Sequence, residues 1–217
     1  MRRDLSELII ISDRSGSMGA AQGEAQNAIN RMLEDQKTGE GECRLTFVQF
    51  DDQHEVLYDG VNIKDVQPYK LIPRGWTALL DAVGTAINTV GDRLAKTPED
   101  ERPALVTVIV STDGEENNSR EYSHSQVAQM IKTQKEKYSW QFIFLGVELD
   151  EKIALSLNFS ASNVANIKRC QSSNAYGMTS NKMSLARCAT MEGASADVIS
   201  DCLAYSDNEK DLLNKDV

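Results

Sequence analysis

Three apolar runs constrain this chain more than any other feature. They are Leu8-Ile9-Ile10-Ile11, Ala104-Leu105-Val106-Thr107-Val108-Ile109-Val110, and Trp140-Gln141-Phe142-Ile143-Phe144-Leu145-Gly146-Val147. A strand with one wet face alternates apolar and polar residues, whereas a run without alternation suits a strand buried on both faces. Helical spacing separates the runs. Ala21, Ala25, Ala28, Ile29, Met32 and Leu33 recur at helical intervals after the first, and Leu79, Leu80, Val83, Ile87, Val90 and Leu94 before the second. Val127, Met130 and Ile131 fall between the second and third, behind a Ser123 or Ser125 cap.

The spacing therefore predicts an α/β fold: a doubly wound, mostly parallel central sheet with helices on both faces. One antiparallel edge strand is expected. Arg44–Phe50 reads as a strand, the Asp51-Asp52-Gln53 turn follows, and Glu55–Tyr58 returns beside it. A short helix near Lys152–Leu157 and a weak strand near Val164–Ile167 complete the pattern. Residues 5–168 account for this domain. Residues 169–217 read as a C-terminal appendage, with a helix over Met178–Ala189 carrying Met178, Leu185 and Cys188 toward the domain or toward a second copy, and a frayed acidic end.

Composition narrows the function classes. The net charge is −10 over 217 residues, which disfavours nucleic acid and anionic membranes, because phosphate neutralisation needs a basic face. No apolar run approaches a spanning length, and the run ending at Ile11 is too short for a secretory segment, so a soluble cytoplasmic protein is expected. Cys43, Cys170, Cys188 and Cys202 show no zinc spacing and read as free thiols.

In an open parallel sheet, ligands bind at the carboxyl ends of the strands. Three loops fall there: Asp13-Arg14-Ser15-Gly16-Ser17, Gly75-Trp76-Thr77 and Ser111-Thr112-Asp113-Gly114. Their carboxylates and hydroxyls are oxygen donors suited to a hard cation, Mg²⁺ or Mn²⁺. Singly, Asp13, Ser15, Ser17 and Asp113 would each read as helix N-caps. Jointly, the set favours a metal site.

This constellation resembles the metal-ion-dependent adhesion site of the von Willebrand factor type A (vWA) domain family, Asp-x-Ser-x-Ser followed by a distant Thr and a distant Asp. Here these are Asp13, Ser15, Ser17, Thr77 and Asp113, in order. The resemblance implies a Rossmann-like vWA domain that acts as an intracellular protein-interaction module and not as an enzyme. Ser15, Ser17 and Thr77 would bind the metal through hydroxyls, and Asp13 and Asp113 directly or through water. Neutral hydroxyls leave the cation electrophilic, so an Asp or Glu of a partner protein would complete it. Intracellular relatives imply an ATPase or an assembly component as that partner.

Trp76 stands where the family often has a small residue, with Arg74 beside it and Arg14 inside the first loop. These three read either as a tryptophan folded over the helix start with two solvated arginines, or as a partner-facing hot spot. Two rival functions remain at this point. A Mg-dependent phosphatase would need Asp-x-Asp, and Ser15 stands at the second position. A structural assembly subunit with a vestigial metal site is the other.

Overall fold

The computed structural model describes residues 1–216. Its strands are β1 (Arg2–Asp13), β2 (Glu42–Phe50), β3 (His54–Asn62), β4 (Pro103–Thr112), β5 (Gln141–Val147) and β6 (Val164–Ile167). The helices are α1 (Gln22–Thr38), α2 (Leu79–Lys96), α3 (His124–Tyr138), α4 (Lys152–Ser156), α5 (Ser172–Met191), α6 (Ala196–Leu203) and α7 (Asp207–Leu213). The six strands form one sheet in the order β3-β2-β1-β4-β5-β6. All neighbours run parallel except β3, which pairs antiparallel with β2 as the expected edge hairpin.

Each central strand feeds two cores. Leu8 and Ile10 of β1 join one apolar cluster with α1, α5, α6 and α7, while Ile9 and Ile11 join a second with α2 and α3. Burial on both faces is why these strands carry no polar alternation. Helix α3 begins at Ser123, whose side chain and that of Gln126 form a reciprocal capping box. Helix α2 stops at Lys96, before the Thr97-Pro98 pair.

The segment after residue 168 is packed where an appendage was expected. Tyr176, Met183, Ala186, Leu203, Tyr205 and Leu213 lie in the same cluster as Leu8 and Ile10. The inward face of α5 differs from the expected stripe: Leu185 and Cys188 are exposed, and Ala175, Tyr176, Thr179, Met183 and Ala186 point inward. Small and hydroxylated side chains let α5 lie close to α1, where Gln36 Nε2 donates to Ser180 O at 2.9 Å. Arg187, buried, donates to Gln36 O at 3.1 Å and Glu40 O at 2.6 Å. The acidic stretch before Val217, which lies outside the described residues, is packed too: a Ser206–Glu209 capping box starts α7, and Lys168 N–H donates to Leu213 O at 2.8 Å. Among the described residues no helix is long and apolar enough to cross a membrane.

Candidate metal centre

β1 is flanked by β2 on one side and β4 on the other, and the chain leaves these strands in opposite directions across the sheet. The crevice outside the carboxyl ends of β1 and β4 is thus the topological switch point, where open α/β sheets place ligands. Asp13 ends β1, and Thr112 ends β4 with Asp113 next to it. The register pairs Ser12 with Ser111, which brings the two aspartates to the same level of the sheet.

The donors form a connected set. Ser15 N–H donates to Asp13 Oδ1 at 2.6 Å, and Thr112 Oγ1 donates to Asp13 Oδ2 at 2.5 Å. The Ser15 and Ser17 hydroxyl oxygens are 2.9 Å apart, and Ser17 Oγ donates to Asp113 Oδ1 at 2.5 Å. Asp13 is fully buried. Burial pushes its carboxyl up to about 6 against the hydrogen bonds from Thr112 and Ser15, and the neighbouring Asp113 adds to the rise. The Asp113 side chain is 1% exposed, yet its Oδ2 has no hydrogen-bond partner. A buried carboxylate oxygen left without a donor is costly unless a cation stands near it.

Thr77 joins from the third loop. A side chain at Gly114 would come within 2.8 Å of Thr77 Oγ1, so the threonine hydroxyl faces the Asp113–Gly114 turn. Backbone bonds hold this loop to the first: Gly16 N–H donates to Gly75 O at 3.2 Å and Arg74 N–H to Arg14 O at 2.8 Å. Gly75 has φ +68°, and a side chain there would run into Asp52.

The helix-capping alternative does not hold for the serines. Neither Ser15 nor any other side chain caps the turn at Gly16–Ala21, and α1 has no side-chain cap. The start of α2 is capped instead from the loop after β4. Asn117 Oδ1 accepts from Thr77 N–H at 3.0 Å, Glu116 Oε2 from Leu80 N–H at 2.9 Å, and Ser119 Oγ from Asp81 N–H at 3.1 Å. Asp81 returns the arrangement by accepting from the N–H groups of Arg120, Glu121 and Tyr122. These residues position Thr77. In the sequence they are only a polar loop and one acidic residue among apolar ones.

The three expected partner contacts separate. Arg14 is buried, which corrects its placement at the rim: its Nε donates to Asp51 Oδ2 at 2.8 Å and its NH1 to Glu55 at 3.0 Å. Arg74 Nε also donates to Asp51 Oδ2, at 2.6 Å, while half of its side chain stays exposed. Burial alone would raise the Asp51 carboxyl, but the bonds from Arg74 and the Gln53 N–H, with Arg14 close by, hold it below the usual carboxylate value. Asp51, read from sequence as a turn residue, is therefore the anchor of both arginines. Trp76 is 67% exposed and not folded over the helix start, and Ile72 on the same loop is 55% exposed.

A family model for the von Willebrand factor type A domain matches residues 7–175. No curated protein matches the chain. Among solved structures, proximal thread matrix protein 1 from the mussel byssus superposes with TM-score 0.59 at 17% identity, covering 84% of this chain and 46% of that one. Another structure of that protein, described with a zinc-occupied metal-ion-dependent adhesion site, gives 0.57 at 17% identity, with the same coverage of 84% and 46%. The vWF domain of the type V pilus tip protein Mfa5 from Porphyromonas gingivalis gives 0.58 at 12% identity, covering 83% of this chain and 95% of that one. The chain thus spans just under half the length of the mussel protein and nearly all of the pilus domain.

Proposed function

The chain belongs to the von Willebrand factor type A family, and from that premise we propose that it is a protein-interaction module in which a divalent cation, held by Asp13, Ser15, Ser17, Thr77 and Asp113, is completed by a carboxylate of a partner protein. The observation that carries the reading is the cluster of oxygen ligands that three loops bring together around the buried Asp113, whose Oδ2 accepts no hydrogen bond and has the Arg169 guanidinium 3.6 Å away. The donor set fits a hard cation. It holds two carboxylates and three hydroxyls, and no thiol or imidazole, so it favours Mg²⁺ or Mn²⁺ over softer ions. When bound, the ion would supply an electrophilic position for an external Asp or Glu. The chain's own part is to hold the hydroxyls in place through the Gly16–Gly75 and Arg14–Arg74 backbone bonds and the Asn117 bond to Thr77.

Trp76 and Ile72 would flank that partner carboxylate with exposed apolar surface, and Arg74 would add positive charge. Arg14 is left out of the contact by its burial. The partner is a protein, an ATPase or an assembly component, and not nucleic acid or a membrane. The compartment is the cytoplasm. No catalysis is assigned, because Ser15 occupies the position at which phosphatases of similar topology carry a second carboxylate.

The test is a melting experiment with Mg²⁺, Mn²⁺ and EDTA on the parent and on Asp13→Ala. A cation that binds only the native state should stabilise the parent by about 2.7 kcal/mol at a hundredfold excess over Kd. The variant should not respond. Equal responses in the two proteins would remove the site. With a partner in hand, Trp76→Ala should weaken association by about 2 kcal/mol and leave Mg²⁺ affinity unchanged.

A further inference from the structure

One cation already stands at the candidate centre. Arg169, in the short turn between β6 and α5, places its NH2 3.6 Å from Asp113 Oδ2, the oxygen that lacks a hydrogen bond. The same NH2 lies 3.8 Å from Glu148 Oε2. Both separations are ion-pair distances too long for a hydrogen bond, so the guanidinium is held between two carboxylates without being locked to either. The two acceptors differ. The Asp113 side chain is 1% exposed and belongs to the ligand set, whereas that of Glu148 is 49% exposed and lies outside it. Arg169 itself is 31% exposed, which leaves its long side chain room to swing.

We infer that Arg169 is a built-in competitor of the metal for Asp113, and that Glu148 is the acceptor to which it withdraws when a cation binds. The inference rests on the metal-site reading above. Two positive charges cannot share one carboxylate oxygen without strong repulsion in a poorly screened site. A divalent ion drawing on Asp113 must therefore displace the guanidinium. The displacement breaks no hydrogen bond of Arg169, and an opposite charge, Glu148, already lies at nearly the same distance from the same NH2. Glu148 is itself fixed for this role. It holds a left-handed backbone conformation, φ 56°, and its N–H donates to Ile167 O at 2.9 Å, which ties it to the end of β6 just before Arg169. Cation occupancy then moves a side chain at the head of α5, the helix that covers the sheet face opposite α2.

Mg²⁺ binding to the full chain, measured by titration calorimetry on four proteins, tests this. They are the parent, Arg169→Gln, Glu148→Gln and the double variant. Arg169→Gln should tighten Mg²⁺ binding on the order of tenfold, and Glu148→Gln should weaken it severalfold. In the Arg169→Gln background the effect of Glu148→Gln should shrink toward the small loss expected from one distant charge. Tight parent binding with no gain in Arg169→Gln overturns the competition and leaves the metal site standing. A Glu148→Gln penalty of equal size in both backgrounds overturns the exchange. Binding in Arg169→Gln but not in the parent supports the competition in its strongest form. No Mg²⁺ binding in any of the four defeats both the inference and the site. Melting temperatures in EDTA, taken on the same four proteins, confirm that each variant is folded before its affinity is compared.

Discussion

The two faces of the sheet are built from different materials. On one, α2 sets Leu79, Val83, Ala86, Ile87 and Val90 against Ile9, Ile11, Val108 and Val110, an apolar interface that Arg93 of α2 closes at its far end by donating to the buried Glu7 of β1 at 2.7 Å. On the other, α1 meets α5 through Gln36, Ser180, Ser184 and Arg187, and α5 meets the turn between α6 and α7 through Thr179 and Tyr205, whose hydroxyls lie 2.5 Å apart. Methyl packing tolerates small changes in shape at modest cost, while buried donors and acceptors are costly once a partner is lost. The faces should therefore differ in what breaks them.

The largest effect is expected from removing the second cover altogether. Ending the chain after Arg169 would uncover the face of β1, β4 and β6 against which α5 and α7 now pack, and would remove Tyr176, Met183, Leu203 and Leu213 from the cluster. The product should lack a cooperative thermal transition, and a shortened protein that melts cooperatively near the parent temperature would make residues 5–168 a self-sufficient domain. Next, Arg187→Met keeps most of the side-chain volume but leaves Gln36 O and Glu40 O without their donor. It should cost about 3 kcal/mol in chemical denaturation. Ile87→Val on the methyl face removes one buried carbon and should cost only about 1 kcal/mol. If the two substitutions cost the same, the faces are energetically alike despite their chemistry. The smallest change is expected at Leu185, which α5 turns to solvent; Leu185→Ala should stay within about 0.5 kcal/mol.

The same contrast explains what could be read without coordinates. The α2 face announces itself, because its apolar residues recur at helical spacing and its strands are unbroken apolar runs. The ends of those strands were legible for the same reason, and with them the loop positions of Asp13, Ser15, Ser17 and Asp113, while Thr77 was legible as the loop before α2. Helix α5 was misread in both extent and face. Its inward side is Ala175, Thr179, Ser180, Met183 and Arg187, a mixture whose burial depends on partners more than a hundred residues away in α1. Asp51 and Asn117 escaped for a related reason. A carboxylate that anchors two arginines, and an amide that caps a helix forty residues before it, have no local signature. Glu116, Ser119 and Asp81 belong to the same class. Arg14 looked like a solvated cation only because Asp51 looked like a turn.

The length and direction of β1 carry a practical consequence. The strand runs twelve residues from Arg2 to Asp13, so its start lies about 35 Å from the candidate centre, on the far edge of the sheet. Residues 168–171, by contrast, follow the carboxyl end of β6 and bond to Leu213 and Lys215, which brings the last helix to the side of the sheet where Asp113 sits. A surface tether or fluorophore attached ahead of Arg2 would leave an approaching protein unobstructed. The same attachment just past Lys215 would stand in its path, and the pair of placements makes a ruler for locating where any captured molecule docks.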